Sequence, residues 1–248
     1  MTAPEAPLLL LTRPAAQSER FAARAGASCP PFRLLIAPLN KIVALPFDAA
    51  ALQGAEVIFT SANAVAAVAG IARPGGQRAW CVGPATAAAA RAAGFSVREA
   101  GGDAVHLLAD LRRARPDAPL VHVRGRHVAC DLAGSLARDG KTVGQVIAYE
   151  ARACAWDAGV MATLEGAGQI VAPLFSPRAA AAFSARIGQP PPGLQVIAIS
   201  AACAARLSPA LRRDAAIAER PDGDAMLRAT SDALARSGAS LEAGRRGG

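Results

Sequence analysis

Short apolar runs alternate along the chain with longer stretches in which apolar residues recur every three or four positions. Leu8–Thr12 reads as a strand, followed by a helix carrying Phe21 and closed by Gly26. Phe32–Ile36 is a second strand, leading into Ala37-Pro38. Glu56–Thr60 is a strand whose end, Ser61, has the residue type of an N-cap for a helix carrying Val65 and Val68. Ala79–Val82 is a strand, and Gly83-Pro84 opens a helix that Gly94 closes. Phe95–Arg98 follows, and Asp103 then caps a helix with Val105, Leu108 and Leu111 on one face. Leu120–Val123 is a strand, Val128, Leu132 and Leu136 stripe a helix ending at Gly140, and Thr142–Ala148 is apolar and β-branched. Regular alternation of strand and helix is the pattern of parallel sheets covered by helices, so the fold class is α/β.

The pattern also repeats. Leu10-Leu-Thr-Arg-Pro14 resembles Val121-His-Val-Arg-Gly125, and Ile58-Phe-Thr-Ser61 with Ala64-Val65 resembles Leu174-Phe-Ser-Pro177 with Ala179-Ala180. Cys81-Val-Gly-Pro-Ala-Thr86 answers to Ala198-Ile-Ser-Ala-Ala-Cys203, and Gly102-Asp-Ala104 to Gly223-Asp-Ala225. The partners follow in the same order, at offsets from 111 (10 to 121) to 121 (102 to 223). Two similar α/β units follow from this, with a ligand site most naturally placed between them. Gln189–Gly193 reads as a loop inside the second unit, and the Gly/Arg-rich tail from Ser237 reads as disordered.

Composition narrows the class. An apolar fraction of 52% in 248 residues allows a sizeable core and excludes wholesale disorder. The 27 basic residues comprise 25 Arg and 2 Lys, and against 19 acids they leave a formal charge of +8. That excess suits an anionic partner, although a GC-rich genome, whose codons favour Ala, Arg, Gly and Pro, produces the same bias. The first residues carry no basic region ahead of a signal-like apolar run, and no stretch approaches the length of a membrane span, so a cytoplasmic location is expected. The five cysteines stand at least 24 residues apart, which suits neither a zinc site nor a disulfide framework.

Several motifs fail. Gly134 to Gly140-Lys-Thr142 imitates a phosphate-binding loop, but five residues separate the glycines and the segment runs from helix to strand, so Gly140 is read as a helix C-cap. No dinucleotide fingerprint follows a strand, and no nucleophile elbow is present. His106, His122 and His127 form no metal spacing, and His106 and His122 are read as structural. Ten aromatics and dispersed arginines speak against a nucleic-acid module.

What remains is a set of polar residues where strands hand over to helices: Arg13, Thr60, Ser61 and Asn63, Gly83 and Thr86, Arg124-Gly125-Arg126, Ser176 and Arg178, and Ser200. In a parallel sheet these ends share one edge, where helix N-termini offer free N–H groups to anions. Ser and Thr at such positions also cap helices in any α/β protein. Tyr149, the one tyrosine, stands just past the strand Thr142–Ala148. A phenol stays protonated at neutral pH and can donate to a leaving hydroxyl; equally, it can pack its ring and bond its hydroxyl nearby.

These segments resemble the uroporphyrinogen-III synthase family. The matching residues are Leu10-Leu-Thr-Arg-Pro14, Val57-Ile-Phe-Thr-Ser61 with Ala64-Val65, Val82-Gly83 with Thr86-Ala87, Val123-Arg-Gly125, Leu132, Leu136, Gly140, Val146-Ile-Ala-Tyr-Glu150, Leu174-Phe-Ser-Pro177 and Ile199-Ser200, covering about residues 8 to 236. Ser200-Ala-Ala-Cys203 departs from the Gly-Pro-x-Thr-like turn of many members. The resemblance implies two flavodoxin-like α/β lobes joined by a two-stranded linker near Ala37-Pro38 and Tyr149-Glu150. One lobe would take residues 1–36 and 151–248 and be discontinuous; the other would take 38–149, with the substrate cleft between lobes. It implies a hydro-lyase that cyclises hydroxymethylbilane, a linear tetrapyrrole with eight carboxylates, to uroporphyrinogen III with inversion of ring D. No cofactor and no metal are expected, Tyr149 would be the general acid, and the helix starts at Ser61, Pro84, Arg126, Ser176 and Ala201 would hold carboxylates, with Arg13, Arg124 and Arg178 nearest. A monomer is expected, without nucleic-acid or membrane partners and with room for transient contact with the preceding pathway enzyme. Two competing readings are a non-catalytic two-lobe binding protein for a small polyanionic ligand and a nucleic-acid-binding regulator.

Overall fold

The structure, a computed structural model, describes residues 6–70, 76–101, 103–127 and 130–246, with backbone alone from 239. The chain divides into two compact units, Met1–Lys41 with Ala153–Gly248 (unit 1) and Ile42–Arg152 (unit 2). Val128 and Gly102, singled out above, lie outside the described residues.

Unit 1 is built on β1 (Leu8–Leu11), β2 (Arg33–Ile36), β9 (Ile170–Leu174), β10 (Leu194–Ala198) and β11 (Ala216–Ile217), in the order β11-β10-β9-β1-β2. Every one of these pairings is parallel. The leucines of β1 alternate between two cores: Leu8 and Leu10 join Phe183 and Leu164 on one face, while Leu9 and Leu11 join Phe21 and Met226 on the other. A strand covered on both faces needs apolar residues at every position, which explains the unbroken run of four. The covering helices are α1 (Ala15–Ser28), α6 (Ala158–Glu165), α7 (Pro177–Ile187) and α10 (Gly223–Arg246), with single turns α8 (Ala201–Ala204) and α9 (Pro209–Arg212).

Unit 2 carries β4 (Glu56–Phe59), β5 (Arg78–Cys81), β6 (Ser96–Glu99), β7 (Leu120–Gly125) and β8 (Val143–Ala153), with β3 (Asn40–Ala44) added beside β8, in the order β3-β8-β7-β4-β5-β6. Its helices are α2 (Ala62–Val68), α3 (Pro84–Ala92), α4 (Ala104–Ala114) and α5 (Leu132–Ala137). Val57 and Phe59 face a core with Val65 and Phe95, and Ile58 faces another with Trp80 and Leu111. Gly94 (φ 87°) and Gly140 (φ 74°) close α3 and α5 in a backbone conformation that other residues rarely adopt.

The internal repeat is legible in the sheets. Placing β1, β2, β9, β10 and β11 on β7, β8, β4, β5 and β6 turns one strand order into the other. In each unit one pair of neighbouring strands sends its connections in opposite directions: β1 and β9 in unit 1, β7 and β4 in unit 2. Such a switch point leaves a crevice beyond the carboxyl ends of the two strands, where open α/β sheets take their ligands.

Four expectations need correction. Tyr149 does not stand past a strand end, because β8 continues to Ala153 with β3 beside it. The helix after β7 begins only at Leu132, so Arg126 opens no helix; Asp131 caps it by accepting from the Gly134 amide at 2.9 Å. On α4 the buried stripe is Leu107, Leu108 and Leu111, and Val105 is exposed. The tail from Ser237 continues α10 to Arg246, where Ala239, Leu241, Glu242 and Ala243 are all good helix formers.

Candidate functional site

The switch point of unit 2 opens into a cavity of about 310 Å³. Its polar lining comes from Thr60 and Ser61 after β4, Gly125 at the end of β7 and His127 after it, Cys130 and Tyr149; Val82 and Ala104 supply an apolar wall. Four residues expected from the sequence therefore meet here: Thr60, Ser61, Gly125 and Tyr149. Asn63, Gly83, Thr86, Arg124 and Arg126 do not line the cavity.

Each lining group is held by local chemistry. Ser61 caps α2, its hydroxyl accepting from the Asn63 amide at 3.2 Å. Thr60 Oγ1 lies 3.3 Å from Nε2 of His122, which is 2% exposed inside β7. Burial, and then the charge of Arg124, lower the His122 pKa to about 4, against an opposing pull from Asp131, so the ring is neutral at pH 7. Tyr149 packs on the core beneath β7 and β8, and its hydroxyl bonds to no described residue.

The arginines beside the cavity are occupied. Arg124 donates from Nε to Gln145 Oε1 at 2.7 Å and from Nη1 to the carbonyls of Gly125 and Arg126, tying down the loop that follows β7. Arg126 pairs with Glu150 at 2.8 Å, and Arg152 pairs with the same carboxylate. Hydrogen bonds from Arg152 and Arg126 hold Glu150 below the usual carboxylate range. Gly83 caps α3 without a side chain, and Thr86 is buried on that helix's inner face.

In unit 1 the equivalent turn is filled differently. The Arg13 guanidinium lies 4.2 Å above the Phe175 ring and donates from Nε to Gln17 at 3.0 Å. Burial, and then Arg20, pull its pKa below the ordinary arginine value. Ser176, next to Phe175, caps α7 by accepting from the Ala179 amide at 3.1 Å, and Arg178 is exposed on that first turn. Ser200 caps the single turn α8, and the Cys203 thiol donates to the Ser176 carbonyl at 3.3 Å, knitting the two strand ends together. Burial raises the Cys203 thiol pKa, which keeps it protonated as a donor.

Sequence reasoning missed His127, Cys130, Val82 and Ala104 in the cavity, and Phe175 under Arg13. Phe175 stands within a repeated motif, which is the available signal. His127 and Cys130 carry none, since the spacing of Val128, Leu132 and Leu136 reads as helix rather than loop. Among the described residues no three His, Cys, Asp or Glu side chains gather as metal ligands, and no helix is long and apolar enough to cross a membrane.

Two α/β units with one strand order, each presenting polar groups at its switch point, define a duplicated α/β fold of the kind seen in solved uroporphyrinogen-III synthases. The family model for uroporphyrinogen-III synthase HemD matches residues 32–228, and the chain belongs to that family, enzymes of heme biosynthesis. Its fold is similar to uroporphyrinogen-III synthetase from Helicobacter pylori, with 16% identity, 90% of this chain and 97% of that chain covered, and a TM-score of 0.66. It is also similar to a mutant uroporphyrinogen III synthase from Thermus thermophilus, with 17% identity, 93% and 100% covered, and a TM-score of 0.52. No curated protein matches the chain.

Proposed function

We propose that the cavity of unit 2 is where this chain assists the cyclisation of hydroxymethylbilane to uroporphyrinogen III, acting as a hydro-lyase. The observation that carries the reading is Tyr149, which lines a cavity with Thr60 and Ser61 and whose hydroxyl bonds to no described residue. The phenol there can donate its proton to the terminal hydroxyl of the substrate, which leaves as water and generates a delocalised cation on ring A. Ring D attacks through its substituted carbon to form a spiro intermediate; the bond from that carbon to the bridge toward ring C breaks, ring D recloses through its unsubstituted carbon in inverted orientation, and the proton lost there balances the one the phenol gave. The apolar wall of Val82 and Ala104 suits a pyrrole face, while Thr60, Ser61 and His127 suit its N–H groups and carboxylates.

Spontaneous closure gives the non-inverted isomer, so holding the flexible chain in a productive geometry matters as much as the proton. The eight carboxylates supply the handles. In unit 1 Pro177 has no N–H and Ser176 takes the Ala179 amide, so the start of α7 offers an anion the Arg178 amide, with Arg13 over the neighbouring Phe175. In unit 2, Ser61, Asn63 and Gly83 stand at helix starts. The net charge of +8 steers a polyanion toward the protein. The enzyme works on this reading as a cytoplasmic monomer, with no step routed through a metal or cofactor. Freshly prepared hydroxymethylbilane, with product isomers resolved, tests the reading: the type III isomer is expected. Type I alone, formed at the uncatalysed rate, overturns it and leaves a polyanion-binding protein.

A further inference from the structure

We propose that Gly125 is a positioning residue for Tyr149: its bare Cα is the seat on which the phenol ring lies, and with a β-bulge in β8 it aims the hydroxyl into the cavity. The consequence for rate rests on the proton-donor reading above; the seat itself does not. A side-chain carbon added at Gly125 would stand 2.8 Å from Cζ of Tyr149, 2.9 Å from Cε2 and 3.1 Å from the hydroxyl oxygen. Those separations are well inside van der Waals contact, so any larger residue would displace the ring. The backbone at Gly125 does not itself demand glycine, because its φ is not positive. The ring is what forbids a side chain there.

The bulge supplies the aim. Along β7 and β8 the partners run Arg124 with Ile147 and then Gly125 with Tyr149, skipping Ala148. The Arg126 amide donates to the Tyr149 carbonyl at 2.9 Å and fixes that shifted register. In a regular strand, neighbouring side chains point to opposite faces. Here Val146, Ala148 and Tyr149 all pack on one core, which adjacent residues 148 and 149 can share only through the extra residue. Unit 1 lacks both parts of the device: Pro14 aligns with Gly125, and β1 and β2 pair without a break from Leu8 with Arg33 to Leu11 with Ile36.

Two readouts test the proposal on the full chain. Tyr149 is the one tyrosine, so isotope-labelled tyrosine gives an NMR ring signal free of overlap. Gly125→Ala should shift that signal, while Gly26→Ala, where an added carbon meets nothing within 4 Å, should not. In steady-state kinetics Gly125→Ala should lower kcat about tenfold or more with KM changed less than about threefold, and should add less than about twofold on top of Tyr149→Phe. An unshifted tyrosine signal overturns the seat. Equal kcat losses from Gly125→Ala in the wild-type and Tyr149→Phe backgrounds overturn it too, since Gly125 would then act on the substrate directly. If Tyr149→Phe retains full activity while the signal still shifts, the proton donor fails and the seat survives. Should Gly125→Ala not fold, Gly125→Ala with Tyr149→Ala should restore folding; failure of that pair also overturns the proposal.

Discussion

The two units share an order of strands and differ in what fills the crevice at the switch point. In unit 1 the turn after β1 places Arg13 over Phe175, a cation resting on an aromatic face, and the Cys203 thiol closes the gap behind Ser176. In unit 2 the turn after β7 has Gly125 where unit 1 has Pro14, and the space goes to a cavity that the Tyr149 ring borders. A duplicated fold supplies two anion-facing edges. On the function proposed above, small changes at one turn would make one of them a place to hold charge and the other a place to move a proton.

The largest expected effect breaks that comparison most sharply. Tyr149→Phe should lower kcat by roughly 100-fold or more with little change in KM, the loss typical of a general acid. Stopped assays with isomer resolution would show type I rising as the uncatalysed reaction overtakes. Arg13→Ala should do the reverse, raising KM roughly tenfold while kcat stays within about twofold, the scale of a lost charge-assisted hydrogen bond. Equal effects on kcat from both would erase the division of labour.

Acid should separate the units as well. His122 has a folded pKa near 4, below its ordinary 6.5, so unfolding takes up a proton between those values. The stability it contributes is complete above about pH 6.5 and is lost as pH falls toward 4, amounting to at most about 3 kcal/mol. Urea unfolding of His122→Gln across that window should show a flatter pH dependence than wild type; an unchanged slope would contradict the placement of the buried ring. The smallest effects are the helix caps. Ser61→Ala and Ser176→Ala should each cost about 1 kcal/mol in denaturant unfolding. They test whether the two strand ends are equally dependent on their caps.

Much of the scaffold was legible in the sequence because, β3 apart, both sheets are parallel and doubly covered. Runs such as Leu8–Leu11 and Glu56–Phe59 announce themselves, and Ser61, Asp103 and Ser176 cap the helices that their residue types suggest. β3 was not legible, since Asn40–Ala44 mixes polar and apolar residues and is placed by its neighbour β8. Gathering Thr60, Ser61 and Gly125 follows from strand-end logic, whereas Tyr149 stands inside β8. The aim of Tyr149 does not follow from that logic, because a bulge is a property of register between two strands and leaves no mark in either one. Arg124 and Arg126 look like free cations in the sequence, and only side-chain geometry shows them tied to loop carbonyls, Gln145 and Glu150.

Cys130 offers the most direct measurement of where substrate lies. It is exposed and lines the cavity, whereas Cys81 and Cys203 are buried and Cys29 and Cys154 partly so. Alkylation of Tyr149→Phe, mapped by mass spectrometry with and without saturating hydroxymethylbilane, should show Cys130 modified first and strongly protected by the substrate. Modification of Cys130 at the same rate in both conditions would contradict a reaction site in the cavity of unit 2.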